Sequence, residues 1–195
     1  MKKFVAVLII AVALIVLFFF LVRVKDSART PKSSSTKPKE TKSVKPAKPK
    51  PPRNSVKSEK YEGAWFSIKY PADFQVEERE KSAGADRYDG VAFISPDKEA
   101  EFYVFSPQWA GTSEWGKVAA NEKISSSSSQ KQNNKTIKRT TITSKDGSYD
   151  RAYQVIEDGP SIRYLFGFKY SGKEAYNLYK KEYQAFKNSL TQFAD

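Results

Sequence analysis

The chain contains neither cysteine nor histidine. Without thiols no disulfide can form, and the redox compartment cannot be inferred from cysteine usage. The two absences also exclude a zinc site built on His or Cys, a Ser–His–Asp triad and a Cys–His pair. A lipid anchor on an N-terminal cysteine is excluded as well. Any catalysis would therefore depend on Asp and Glu.

Glycine-rich phosphate loops and Gly-x-Ser-x-Gly motifs are also missing. The formal net charge is +12, but residues 1–60 hold 15 Lys and Arg against 3 Asp and Glu, while residues 61–195 hold 19 against 19. A nucleic-acid-binding groove would carry its basic charge on the folded domain. We therefore expect no nucleic-acid partner, no cofactor and no metal.

The one long hydrophobic run is at the N-terminus. Residues 4–22 are apolar without interruption, and as a helix they would span about 28 Å, close to the hydrocarbon thickness of a bilayer. We predict an uncleaved signal-anchor, a single-pass transmembrane helix in the cell (inner) membrane with the lipid bilayer as its partner. The alternative is a cleavable signal peptide processed near Ala28, but its apolar region would usually be shorter.

The charges that flank this run leave its orientation open. Lys2 and Lys3 precede it, and Arg23 and Lys25 follow it. The positive-inside rule then slightly favours a cytoplasmic C-terminus. However, a short Met-Lys-Lys start before a long apolar run resembles a bacterial signal-anchor, which places the C-terminus outside. We predict an extracytoplasmic, periplasmic domain, against the charge count.

Residues 25–60 predict a disordered basic linker. They hold six of the ten prolines and no aromatic residue, and Lys, Ser and Thr fill most of the rest. Such a composition cannot bury enough apolar area to offset the loss of chain entropy. Fully extended, the segment would reach about 110 Å. It is interpreted as a solvated spacer, and the alternative is that its cations bind anionic lipid or wall polymer.

In residues 61–195, apolar and polar residues alternate as they do in the strands of a globular domain. Phe66, Ile68 and Tyr70 fall on one face of a strand that Pro71 ends. Two short apolar runs then predict a hairpin that turns across residues 95–100: residues 90–95 and residues 101–106.

The next segment predicts a helix followed by a loop. Trp115, Val118 and Ala119 recur at i, i+3 and i+4, which favours a helix over residues 112–125. Residues 125–135 are Ser, Gln, Asn and Lys, and this low-complexity composition predicts a mobile loop.

The end of the chain predicts three strands and a helix. The strands are expected at residues 136–144, 148–157 and 161–170, joined by turns at Asp146-Gly147 and Asp158-Gly159-Pro160 into an antiparallel meander. Ser171 and Glu174 form a capping-box pattern. The helix after them carries one aromatic stripe: Tyr176, Tyr179, Tyr183, Phe186 and Leu190.

The order of these segments resembles a known family. An opening Phe66–Pro71, a strand that ends Phe93–Pro96, the late meander and a closing helix that ends Phe186–Leu190 together resemble the PsbP/Mog1-like α/β/α sandwich over residues 61–195. The resemblance implies an α+β fold, an antiparallel sheet with packed helices. It also implies binding and assembly roles, although a fold does not settle a function.

Three tryptophans are candidate recognition residues, because aromatic side chains are common anchors at interfaces. Trp65 and Trp115 are interpreted as core residues. Trp109 lies between Pro107 and Gly111, so we expect it in a loop and predict that it binds a partner.

An acidic set gathers near the predicted turns. Paired carboxylates can perform acid–base chemistry or bind calcium. The sequence shows no calcium-loop pattern, and basic residues are interspersed, so solvated turns are the favoured interpretation. The set is Asp86, Asp89, Asp97, Glu99 and Glu101.

The sequence is compatible with three functions. The first is a membrane-anchored extracytoplasmic binding or assembly module without catalytic activity, with an envelope protein as its partner. The second is a carboxylate-based envelope hydrolase. The third is a tether whose basic linker binds anionic lipid or wall polymer.

Overall fold

The computed structural model describes residues 53, 56–109, 111–158 and 161–193, with the side chains of residues 161 and 162 excepted. The anchor predicted at residues 4–22 and most of the linker predicted at residues 25–60 lie outside the described residues. In the described ranges, none of the helices has the length and apolar character needed to cross a bilayer.

The described residues form two antiparallel sheets and one α-helix. The large sheet has the strand order β3-β4-β5-β9-β8-β7-β6, and the small sheet has the order β1-β2-β10. In chain order the elements are β1 (Ser58–Glu62), β2 (Phe66–Pro71), β3 (Gln75–Lys81), β4 (Tyr88–Ile94), β5 (Ala100–Phe105), β6 (Glu122–Gln132), β7 (Lys135–Ser144), β8 (Asp150–Asp158), β9 (Ser161–Tyr170), α1 (Lys173–Asn188) and β10 (Thr191–Gln192).

The main core lies between one face of the large sheet and the layer formed by α1 and the small sheet. Phe66 of β2, Phe102 of β5 and Phe186 of α1 are all fully buried there. The rings of Phe102 and Phe186 have centroids 5.4 Å apart. The alternation predicted for β2 is confirmed, and so is most of the apolar stripe predicted for α1, because Tyr179, Tyr183, Phe186 and Leu190 pack in this core. Tyr176, the first residue of the stripe, is 40% exposed.

The capping box predicted for α1 is wrong. The N-cap residue is Gly172, which has φ 95°, and no side chain caps the helix. The Ser171 backbone N–H instead donates to the Glu99 carbonyl at 2.9 Å. This bond holds the chain at the β4–β5 hairpin, so a left-handed residue must turn it into the helix, and glycine adopts that conformation at little cost.

The helix predicted at residues 112–125 is also wrong. Only Glu114–Gly116 form a helical turn, of the 3₁₀ type, and Ser113 caps it through its side chain. Trp115 then enters a second core on the other face of the large sheet, where it stacks on Tyr103 with centroids 5.1 Å apart. This face is therefore covered by a loop, and the described residues hold one packed helix rather than the several that an α/β/α sandwich requires.

The loop predicted at residues 125–135 is a strand. β6 pairs with β7 from Glu122 opposite Ser144 to Gln132 opposite Lys135. Asn133 and Asn134 make the turn, with φ values of 49° and 61°. Beyond Glu122 the side chains of β6 are exposed on both faces. The strand therefore lacks the apolar alternation that identifies a half-buried strand.

The other hairpins follow the predictions. β4 and β5 pair around residues 95–100, and β7 and β8 pair around Gly147, which has φ 74°. Asp158 lies opposite Ser161 in the β8–β9 pair, while the predicted turn residues Gly159 and Pro160 lie outside the described residues.

The folded domain includes residues that precede the predicted boundary at residue 61. β1 starts at Ser58. Still earlier, the Arg53 guanidinium donates to Asp73 Oδ2 at 2.6 Å and lies over the Tyr179 ring at 4.8 Å. Arg53 and residues 58–60, all within the predicted linker, therefore pack on the domain.

Candidate protein-binding groove

Trp109 lies on the loop after β5 and is the most exposed of the large hydrophobic residues described, with 71% of its surface accessible. This placement confirms the predicted loop position. Beside Trp109 is a groove of about 250 Å³. Its lining combines aromatic rings with a few polar groups: Trp65, Pro107, Gln108, Trp109, Arg163, Gln192 and Phe193.

The aromatic floor of the groove is fixed by a hydrogen bond to Ser82 and by the small sheet. The Trp65 indole Nε1–H donates to Ser82 Oγ at 3.1 Å, and Ser82 is buried. The Phe193 backbone N–H donates to the Trp65 carbonyl at 2.8 Å. Gln192 pairs with Phe66 of β2, so the chain end is tied to the core. Trp65 and Phe193 are thus held in place before any partner binds.

Two polar residues of the lining, Gln192 and Arg163, are linked by a hydrogen bond. Gln192 Nε2 donates to Ser106 Oγ and to the Arg163 carbonyl, both at 2.9 Å. The Arg163 guanidinium is about half exposed and lies 3.9 Å from Asp158 Oδ2. An exposed ion pair at this separation contributes little to stability. Arg163 is consequently available to bind a carboxylate or carbonyl of a partner.

The other tryptophans divide between core and groove. Trp115 is 8% exposed and belongs to the second core, as predicted. Trp65 was predicted to be a core residue and instead forms the half-buried floor of the groove. Phe193 was not singled out in the sequence, because a lone Phe after the last helix carries no pattern. Its position follows from the β2–β10 pairing, which only the tertiary structure reveals.

The acidic set does not form one site. Asp86 is fully exposed, and Asp97 accepts hydrogen bonds from Ser95 Oγ and from the Tyr179 hydroxyl. Glu101 is paired with Arg79 at 2.6 Å. Burial raises the pKa of Asp89, which lies in β4. Across the described residues, no three Asp or Glu side chains converge where they could hold a metal ion.

A second groove, of about 430 Å³, lies beside Trp115 and contains four glutamates. Glu122 is held by Arg151, with Nε to Oε1 and Nη2 to Oε2 both at 2.7 Å. The hydrogen bond from Arg151 lowers the pKa of Glu122 to about 2. Glu101 accepts from Arg79, and Glu114 from Lys117. These three carboxylates serve as partners of cations, and Glu122 carries no proton to donate at neutral pH. Glu80 instead accepts from Ser113 Oγ and from the Glu114 backbone N–H, both at 3.0 Å.

Comparisons with known proteins identify no family for this chain. No family model matches it, and no curated protein matches it. Among solved structures, the chain is similar to the solution structure of cyanobacterial PsbP (CyanoP) from Synechocystis sp. PCC 6803, with 11% sequence identity and a TM-score of 0.42. The match covers 76% of this chain and 100% of that one. A similarity this distant gives no information on what the groove binds.

Proposed function

We propose that this chain is a binding module without catalytic activity, and that the groove around Trp109 takes an apolar side chain from a partner protein. The exposure of Trp109 carries the proposal, since 71% of a tryptophan is left in water beside a rigid aromatic floor. Covering such a side chain in an interface contributes about 1.5–3 kcal/mol through burial. Tryptophan is also among the residues most enriched at the energetic centre of interfaces.

The lining defines the chemistry of the partner. Trp65, Trp109 and Phe193 offer apolar faces for a proline or aromatic residue. Arg163 beside them favours a carboxylate or backbone carbonyl at the neighbouring position of the partner. The expected ligand is thus a short protein segment with an apolar anchor next to an oxygen acceptor.

We also propose that the chain is anchored in a membrane. The apolar run at residues 4–22 is the expected anchor, and the basic segment from residue 25 is the expected spacer. Together they would hold the binding domain outside the membrane, where an envelope protein is the expected partner. A protease added to intact spheroplasts tests this location, because an extracytoplasmic domain is digested and a cytoplasmic one is protected.

The two alternatives have weaker support. A carboxylate hydrolase requires one protonated and one ionised carboxyl group facing a cavity, whereas three of the four glutamates beside Trp115 are paired with cations. A tether that acts through its basic linker requires binding that falls steeply with salt. Such binding would not depend on Trp109.

Partner capture from cells tests the proposed groove. The full chain, Trp109→Ala and Val118→Ala are crosslinked in cells, and the proteins recovered with each are quantified. Val118 is the matched control, since it is 44% exposed and does not line the groove. We expect Trp109→Ala to lose a discrete partner that Val118→Ala retains. Equal recovery by all three chains would contradict the proposal.

A further inference from the structure

A separate groove, of about 360 Å³, lies between α1 and the strands β7 and β8. Its size is near the lower end of small-molecule sites. The stripe of α1 that faces it contains Tyr176, Lys180, Tyr183 and Lys187, spaced at four, seven and eleven residues from the first. These intervals place all four on one side of a helix. Arg139 of β7 faces them.

All the charged residues that line this groove are basic. Three cations line it, Arg139, Lys180 and Lys187, and none of its lining residues is an Asp or Glu. Across the described residues, none of the three cations takes part in an ion pair, whereas Arg79, Arg87 and Arg151 each do. The domain sequence is neutral overall. The unbalanced charge is therefore a local property of this groove.

Aromatic rings lie beside two of the cations, one of which, Lys180, also donates from Nζ to Asn177 Oδ1 at 3.0 Å. Lys187 Nζ lies 5.1 Å from the centroid of Tyr183, and Lys180 Nζ lies 5.8 Å from that of Tyr176. The Tyr183 ring in turn stacks on Phe168 of β9, with centroids 4.7 Å apart. A cation–π contact positions an ammonium group without neutralising it. Burial and the nearby Arg139 lower the pKa of Lys187. An anion bound between these two cations would raise this pKa again.

We propose that this groove binds a dianionic phosphate group, as free phosphate or as a small phosphate monoester, among Arg139, Lys180 and Lys187. An arginine fork and two ammonium groups together supply the donors that phosphate oxygens accept. A single carboxylate would leave two of the three positive charges uncompensated. The side-chain amides of Gln154 and Gln184 also line the groove. Gln184 Nε2 donates to Asn188 Oδ1 at 2.8 Å and keeps a second N–H, so both amides can donate to the ester oxygen or the body of the ligand.

The test uses inorganic phosphate and the full chain in neutral detergent micelles. Phosphate is titrated against chloride at constant ionic strength, and the side-chain amide resonances of Gln154 and Gln184 are followed by NMR. Arg139→Gln/Lys187→Gln removes two groove cations. Lys60→Gln/Lys117→Gln removes the same charge from exposed ion pairs elsewhere. Lys187→Arg keeps the charge and serves as a rescue variant.

We expect saturable shifts in the native chain, the control and Lys187→Arg. For the Arg139→Gln/Lys187→Gln chain, the phosphate concentration at half-saturation should rise at least about tenfold, since two charge-assisted hydrogen bonds are lost. Equal titrations for all chains would assign the effect to the basic N-terminal segment and overturn the proposal. Binding to phosphatidic acid vesicles that requires Arg139 and Lys187, without any response to free phosphate, would also overturn it in favour of a membrane surface.

Discussion

At the scale of single residues, the second core depends on one buried ion pair. The side chains of Arg151 and Glu122 are 8% and 4% exposed. Arg151 also donates to the carbonyls of Trp115 and Lys117, so it fixes the loop that carries Trp115. Breaking a buried pair leaves an uncompensated charge. This arginine is therefore the link between the β6–β8 region and the loop over the second face of the sheet.

Stability should depend on pH through Glu122. Its folded-state pKa is lowered to about 2 from 4.5, so its contribution is present above the unfolded pKa and is lost as pH falls through the folded one. The difference corresponds to about 3 kcal/mol. Urea unfolding of Glu122→Gln should show a smaller loss of stability between neutral and acidic pH than the native chain. Asp86→Asn is the control, and an unchanged pH dependence in Glu122→Gln would contradict the role of the pair.

A side chain at position 167 should destabilise the fold. A Cβ atom there would lie 2.3 Å from the Trp115 ring, which is stacked on Tyr103 and held by Glu101. Gly167→Ala should cost about 1–3 kcal/mol because the ring must move. The free energy of unfolding in urea measures this cost. Gly116→Ala is the control, since a Cβ atom at Gly116 meets nothing within 4 Å, and equal effects of the two changes would contradict the account.

At the scale of elements, the β6–β7 hairpin is held by backbone pairing more than by side-chain burial. β6 is an edge strand whose side chains after Glu122 are exposed. Its turn needs two residues with positive φ, which the asparagines supply. The hairpin should consequently open locally more readily than the strands of the core.

A change in the turn should report this local opening. Asn134→Ala places an alanine at φ 61°, which costs about 1 kcal/mol. The amide hydrogens of β6 that bond to β7 should then exchange about fivefold faster. Gln132→Ala, at the end of the same strand, should leave exchange nearly unchanged. Similar exchange in both variants would show that the turn does not control the hairpin.

The same region shows where sequence reasoning succeeds and fails. β2, the β4–β5 hairpin and α1 could be predicted, because each contributes apolar residues to the core at a regular spacing. β6 could not, since its serines have no buried face to produce a pattern. The segment with Trp115, Val118 and Ala119 fits a helix by spacing, yet Ser113, Tyr103 and Arg151 fix it as a 3₁₀ turn and a loop. Tertiary contacts at Trp115 overrode the local pattern.

The candidate site could be predicted only in part for the same reason. The loop position of Trp109 follows from Pro107 and Gly111, which interrupt the strand pattern. The groove around it depends on the pairing of β10 with β2, a contact between residues more than one hundred positions apart. The pattern of residues along the sequence does not indicate that contact.

At the scale of the whole molecule, the two grooves proposed as binding sites on a neutral domain differ in chemistry. The lining of the groove at Trp109 is aromatic and includes Arg163, and the lining of the groove beside α1 is basic. Removing the Trp109 side chain should therefore weaken partner binding and leave phosphate binding beside α1 unchanged. Trp109→Ala should also leave the free energy of unfolding within about 0.5 kcal/mol of the native value, because the side chain is exposed. Chemical denaturation checks this expectation.

Site-specific photo-crosslinking in cells tests the proposed binding groove most directly. A benzoyl-phenylalanine is placed at Gln108, in the groove beside Trp109, and at Val118 as the control. The account predicts one discrete adduct with an envelope protein from position 108, its loss in the Trp109→Ala background, and no such adduct from position 118. The same adducts from both positions, or an adduct from position 108 that persists without Trp109, would contradict it.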